Sequence, residues 1–336
     1  MVSLEQVQSS NARIASSLPD GLVAVFLGGT GAVGQATLKQ FTKLTVRPRI
    51  YFLGRSQASG DRITAELKAL NPEGDYCFIR ADVSLLATVD DVCGEIKRRE
   101  HHINLLFMTT ATLLTGKDTA EGLYYQPAVT YYSRIRFTVN LLPLLQRAPA
   151  LRRVVTVFTA TKEGPVWADD FPGRYVPLLH QRAHYSSMMT LALESLGLEA
   201  PDVSFIHSFP GSVKTSHVVV LRLMFKIMGP LVQMSPAEAG ERQVFLATSG
   251  RFPPRLGADV RGETTTAGVP VDKAVGLALG TGGEEGTGVY SVSCDGEPAS
   301  AKVREALARL RGEDVLKKLW LHTEDVFTAV TGTTFV

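Results

Sequence analysis

Residues 25–41, VFLGGTGAVGQATLKQF, constrain the fold more than any other stretch of the chain. The opening run of Val, Phe and Leu shows no polar alternation, as expected of a strand covered on both faces. It breaks into glycines and resumes with Val33, Thr37, Phe41 and Leu44 on one helical face. Gly28, Gly31 and Gly34 recur at every third position across the turn. Glycine there lets the backbone bend sharply and approach a pyrophosphate without a Cβ in the way. The amides that open the helix then face the anion, and the helix dipole adds attraction. Strand, glycine turn and helix together predict a dinucleotide site, with Gly28, Thr30, Gly31, Val33 and Gly34 around the phosphates.

The same alternation continues. Apolar runs at 22–29, 49–55, 75–82, 103–110, 152–160 and 203–211 read as short buried strands, with amphipathic segments between them. The segment 84–100 reads as a helix with a Ser84 cap and a basic end. That order predicts an α/β fold with a doubly wound parallel sheet of Rossmann type. The length of 336 residues and 45% hydrophobic content suit one large domain over 21–336, preceded by an N-terminal extension over 1–20. After residue 211 the alternation stops. The stretch 216–235 is strongly apolar but interrupted by Arg222, Lys226 and Gly229-Pro230, so it makes a poor membrane span. The segment 216–260 is expected to be a helical flap over a greasy substrate pocket, with Ser235, Pro236 and Glu238 opening a capped helix inside it. A last strand is expected within 286–297 and a helix over 302–312.

The end of the second strand bears on the dinucleotide. NAD sites place an acid about 20 residues beyond the glycines, on the ribose 2′-hydroxyl. Here the chain reads YFLGRS, with Arg55 and Ser56 and no acid, which favours the 2′-phosphate of NADP(H). Asp82 and Val83, after the third strand, suit contacts to adenine. A net charge of +2 with no long Lys/Arg run argues against nucleic acid as a partner. Cys77, Cys93 and Cys294 are scattered and odd in number, so no disulfide framework is expected, and no Cys or His pair has zinc-ligand spacing. The first residues lack the basic-then-apolar pattern of a secretory leader, and a cytoplasmic chain is expected.

On these residues the chain resembles the short-chain dehydrogenase/reductase family over about 20–215, and in particular a divergent fungal branch associated with secondary metabolism. The family's TGxxxGxG motif appears as Leu27-Gly28-Gly29-Thr30-Gly31-Ala32-Val33-Gly34, with the middle glycine shifted by one place. Its post-strand PG signature is kept in Phe209-Pro210-Gly211-Ser212-Val213-Lys214-Thr215. The resemblance implies that Val213 and Thr215 contact the nicotinamide carboxamide. It also implies a homodimer formed through the fourth and fifth helices. Where the family has NNAG, this chain has Met108-Thr109-Thr110-Ala111, with Thr109 on the cofactor wall. The catalytic Ser position falls on Thr159, and the helix Asn position on Tyr131 or Tyr132. The YxxxK frame fits Tyr175 or Tyr185, but the fourth residue on is Leu179 or Met189, and the fungal branch's register favours Tyr175.

A neighbouring ammonium lowers a tyrosine's pKa from about 10 towards neutrality. Without it the hydroxyl stays protonated, able to donate to an oxyanion but poor as a base. Losing that general acid–base share costs about 10²–10⁴ in rate. Reduction of a carbonyl in a hydrophobic small molecule, polarised by Thr159 and Tyr175, is therefore the expected activity. A non-redox isomerase, dehydratase or cyclase on the same scaffold is the first rival, and a silent NADP(H) sensor the second. Each candidate has a plainer reading. Tyr131 and Tyr132 suit a helix core with satisfied hydroxyls, Thr159 a strand end, and Tyr175 a loop anchor. His184 and His207 read as structural, and Glu163 and Asp169-Asp170 as solvated loop acids.

Overall fold

The computed structural model describes residues 1–112, 114–213, 234–256 and 267–336. Each apolar run forms a short strand: β1 (Val23–Leu27), β2 (Arg49–Gly54), β3 (Asp75–Arg80), β4 (Leu105–Met108), β5 (Arg153–Val157), β6 (Ser204–Ser208) and β7 (Val289–Val292). Helices α1 (Leu4–Ala12) and α2 (Ile14–Ser17) precede the sheet. Helices α3 (Ala32–Leu44), α4 (Gln57–Leu70), α5 (Leu86–Arg99), α6 (Ser133–Gln146) and α7 (Leu178–Glu199) form the crossovers, and α8 (Pro236–Thr248), α9 (Ala301–Gly312) and α10 (Val315–Thr331) follow β6. Among the described residues the sheet runs β3-β2-β1-β4-β5-β6-β7, and every pairing is parallel. The order reverses between β1 and β4, and at such a switch point a crevice opens at the carboxyl ends of the strands.

Alternate side chains of β1 serve two separate cores. Val23, Val25 and Leu27 face one side, Ala24 and Phe26 the other, and all five are buried. Helices cover both faces, which is why the strands read as unbroken apolar runs.

The expected Ser84 cap on α5 is not made. The capping position is Leu85, and its own side chain makes no capping bond. Instead the Glu121 carboxylate, from a distant loop, accepts the amides of Leu86 (2.6 Å) and Ala87 (2.9 Å). An acid at this end also favours the helix dipole. Glu121→Ala is expected to cost about 1–2 kcal/mol in urea unfolding, with the free-energy loss largely spared in Glu121→Gln. An unchanged midpoint in the alanine variant would count against this tie.

Both ends of the chain are built into the domain. Residues 1–20 do not hang free: Val2, Val7, Ile14 and Leu18 are buried in the core that includes Phe245. The Glu241 carboxylate takes Asn11 and Gln40 amides at 2.6 Å each. Helix α8 was expected within a substrate flap but lies on α3, where a Cβ on Gly240 would stand 2.8 Å from the Ala36 carbonyl oxygen. The rest of that flap, 216–233 and 257–260, lies outside the described residues. Helix α10 has no counterpart in the expected elements. It packs on α5 and α7, and its Thr331 hydroxyl accepts from Arg136 of α6. It thus covers part of α6 and α7, the fourth and fifth of the crossover helices, through which the resemblance implied pairing with a second copy. No helix among the described residues is long and apolar enough to cross a membrane.

Candidate functional site

The carboxyl ends of β1, β2, β3 and β4 surround a cleft of about 250 Å³. Gly28, Thr30, Gly31, Arg55, Asp82, Val83 and Thr109 all line it, as do Thr110, Tyr125 and Val129. Gly28 has φ +79°, a left-handed conformation that L side chains rarely adopt. Its carbonyl accepts the Gly31 amide (2.9 Å) and the Thr109 hydroxyl (3.2 Å). A Cβ on Gly34 would stand 2.2 Å from that same carbonyl oxygen, so the glycine lets α3 start hard against the turn. Gly31 is open by contrast, with only the Gly28 oxygen, at 3.4 Å, within reach of a Cβ. It occupies the N-cap of α3, and among the described residues no side chain satisfies the first amides. An uncapped helix start on an open cleft is suited to an anion. The Thr30 side chain packs over Gly54, and Val33 is half-buried in the first turn of α3.

At the β2 end Arg55 is exposed and carries no ion pair among the described residues. Ser56 is exposed, and its hydroxyl caps α4 by accepting the Ser59 amide (3.3 Å). The Asp82 carboxylate accepts the Ser84 amide (3.0 Å), which fixes the turn after β3. Uncapped amides and an uncommitted guanidinium on one cleft fit a phosphorylated dinucleotide. At the β6 end Gly211 has φ +75° and packs on Cys294, and Val213 bridges to Met234. Pro210 precedes them, half-buried, and Thr215 lies outside the described residues.

The four candidate tyrosines, Tyr131, Tyr132, Tyr175 and Tyr185, do not line the cleft. The Tyr131 hydroxyl meets Thr323 and that of Tyr132 meets His322, both at 2.8 Å and both on α10. Tyr185 donates to the Pro172 carbonyl (2.7 Å). Burial pushes all three hydroxyls well up from their usual range, so they stay protonated. Tyr175 is 87% exposed, on a loop whose amides bond to Asp170. Thr159 differs: its carbonyl accepts from Ser186 (2.6 Å), while its own buried hydroxyl has no partner among the described residues.

Two buried groups escaped the sequence reading. Glu163 is buried, not a solvated loop acid, and one carboxylate oxygen accepts Thr190 (2.7 Å) and Ser291 (2.6 Å). His207 joins the cluster through Thr190 (2.8 Å), and burial lowers its pKa so that it stays neutral. Arg134, on α6, is fully buried beneath the carboxyl ends of β4 and β5. The only hint of it was a pair of arginines alternating with Ile135 and Phe137 in a helix.

Known proteins add the following. No protein-family model matches the sequence. The chain is 36% identical over 340 residues to the oxidoreductase AN1596 of Emericella nidulans, covering 97% of this chain and 98% of that protein. It is 36% identical over 337 residues to the NmrA-like family domain-containing oxidoreductase notO of an Aspergillus species, covering 98% and 96%. The short-chain dehydrogenase/reductase SAT2 of Stachybotrys chartarum is 30% identical over 355 residues, covering 96% of each. Among solved structures, the RhlG/NADP active-site complex of Pseudomonas aeruginosa superposes with a TM-score of 0.53 at 16% identity, over 78% of this chain and 99% of that one. A 3-oxoacyl (acyl-carrier-protein) reductase of Agrobacterium tumefaciens with NADP bound gives a TM-score of 0.55 at 15% identity, over 70% and 91%. At such identities the structural likeness speaks for the fold.

Proposed function

We propose that this chain, which belongs to the short-chain dehydrogenase/reductase superfamily, binds NADP(H) and reduces a carbonyl of a hydrophobic small molecule in fungal secondary metabolism. The observation that carries this reading is the cleft itself. It joins the glycine turn to Arg55 and places no acid at the end of β2 to hold a ribose 2′-hydroxyl. Bound NADPH would supply the hydride. The opening amides of α3 hold the pyrophosphate, Arg55 the 2′-phosphate, and Asp82 with Val83 the adenine. Pro210, Gly211 and Val213 flank the nicotinamide end, with Thr215 assigned there by resemblance.

Thr159 is the donor we assign to the substrate oxygen: the resemblance gives it the catalytic Ser position, and its buried hydroxyl has no partner among the described residues. The buried tyrosines brace the fold, and exposed Tyr175 can meet only parts of a substrate that project from the cleft. With their hydroxyls held protonated, the buried Tyr131, Tyr132 and Tyr185 cannot serve as the base that alcohol oxidation needs, which favours reduction. The hydrophobic substrate class rests on the apolar stretch 216–235. The absent lysine also favours a second reading, a non-redox isomerase, dehydratase or cyclase on the same scaffold.

Titration calorimetry with both nucleotides tests the assignment. Arg55→Ala is expected to weaken NADPH binding by about 10–100-fold and leave NADH binding nearly unchanged. Equal losses for both would remove the 2′-phosphate role. Conversion of a candidate substrate with no loss of reduced-nicotinamide absorbance would favour the non-redox reading.

A further inference from the structure

Arg134 is fully buried, and every acceptor it finds among the described residues is neutral. Its Nε and Nη2 donate to the Thr110 carbonyl, and its Nη1 donates to the Val157 carbonyl (3.0 Å) and the Thr156 hydroxyl. The buried carboxylate of Glu163 is engaged elsewhere, by Thr190, Ser291 and His207. Burial pushes the guanidinium down to about 9, which leaves it charged at neutral pH. The contrast with Arg136, two residues on, is direct, since that buried guanidinium is neutralised by Asp90. A buried cation with only neutral partners is costly to keep, and in a low-dielectric interior its field is weakly screened.

The position of this charge matters. Thr110 lines the cleft at the end of β4, and Val157 ends β5. In the order β3-β2-β1-β4-β5, Arg55 stands at the end of β2 and the glycine turn at the end of β1. A dinucleotide with its 2′-phosphate on Arg55 and its pyrophosphate on α3 therefore extends its redox ring towards β4 and β5. That ring bears a positive charge when oxidised and none when reduced.

We propose that Arg134 is a fixed positive charge under the ring end of the cleft that makes the site hold NADPH more tightly than NADP⁺. The inference rests on the NADP(H) reading above and adds a direction to it: the oxidised product is repelled and the reduced substrate is retained. Repulsion between unit charges about 10 Å apart, at an effective dielectric of about 20, corresponds to about a tenfold or greater difference in affinity.

Dissociation constants of the purified full chain for NADPH and NADP⁺, by calorimetry at fixed salt, test it without any turnover. The wild-type chain is expected to bind NADPH at least about tenfold more tightly. Arg134→Gln should bring the two constants together, and Arg134→Lys, which keeps the charge, should preserve the gap. A purely structural role would weaken both nucleotides equally and leave their ratio alone. Equal affinities in the wild-type chain, or a ratio unmoved in the Gln variant, overturn the inference. Should Arg134→Gln not fold, the wild-type ratio and the Lys variant still decide it. No uptake of either nucleotide overturns the NADP(H) reading itself, and this inference with it.

Discussion

Gly34→Ala is expected to lower stability by about 2–3 kcal/mol and to weaken nucleotide binding about 100-fold. Two effects of opposite sign compete at this position. Gly34 lies in the first turns of α3, where helix propensity alone favours alanine by about 1 kcal/mol. The added Cβ, however, would stand 2.2 Å from the Gly28 oxygen and 2.7 Å from the Thr109 hydroxyl. The Gly28 oxygen cannot easily yield, because it accepts the Gly31 amide and the Thr109 hydroxyl and belongs to a residue at φ +79°. Contact therefore wins over propensity. The same displacement would turn the α3 amides away from the cleft, which links the stability loss to the binding loss. Gly282→Ala is the control, since nothing lies within 4 Å of its Cβ position. A Gly34→Ala chain that melts as high as the parent and takes up NADPH equally well would show that the turn is not the phosphate cradle.

Asp90→Ala is expected to cost about 3–5 kcal/mol, although Asp90 touches no part of the cleft. Its two carboxylate oxygens accept Arg136 Nε and Nη2 at 2.7 Å each, and one also accepts the Asn140 amide (2.8 Å). Arg136 is fully buried, so alanine at 90 leaves a guanidinium in the core with no counter-charge. Breaking one side of such a pair is far more damaging than removing both charges. Asp90→Leu combined with Arg136→Met should accordingly recover most of the loss in urea unfolding. Arg136 also donates to the Thr331 hydroxyl and the Thr333 carbonyl, so the Asp90→Ala chain should exchange amide hydrogens faster across α10. Protection of α10 equal to that of the parent would sever the link between this ion pair and the chain terminus.

What could be read from the sequence follows the range of the forces involved. Strand and helix periodicity, the glycine turn and Arg55 at the end of β2 are local signals, and six of the seven strands were legible from them, as were Gly28, Gly31 and Arg55, which line the cleft. The last strand was legible only as a broader run. Which of the candidate hydroxyls are engaged was not. Tyr131 and Tyr132 sit in a π-helical turn, Ala128–Tyr132, and their side chains meet residues 190 or more positions further along. Spacing in the chain carries no trace of such partners.

By itself the sequence determined the doubly wound sheet and the place of the glycine turn on the cleft, because burial pattern and glycine geometry act within a few residues. Tertiary structure alone decided which of the candidate hydroxyls are taken and that, of these, Thr159 has no partner among the described residues, that Glu121 rather than Ser84 caps α5, and that Arg134 remains a buried charge. Those outcomes depend on long-range partners, whose presence or absence sets the cost of burying a polar group.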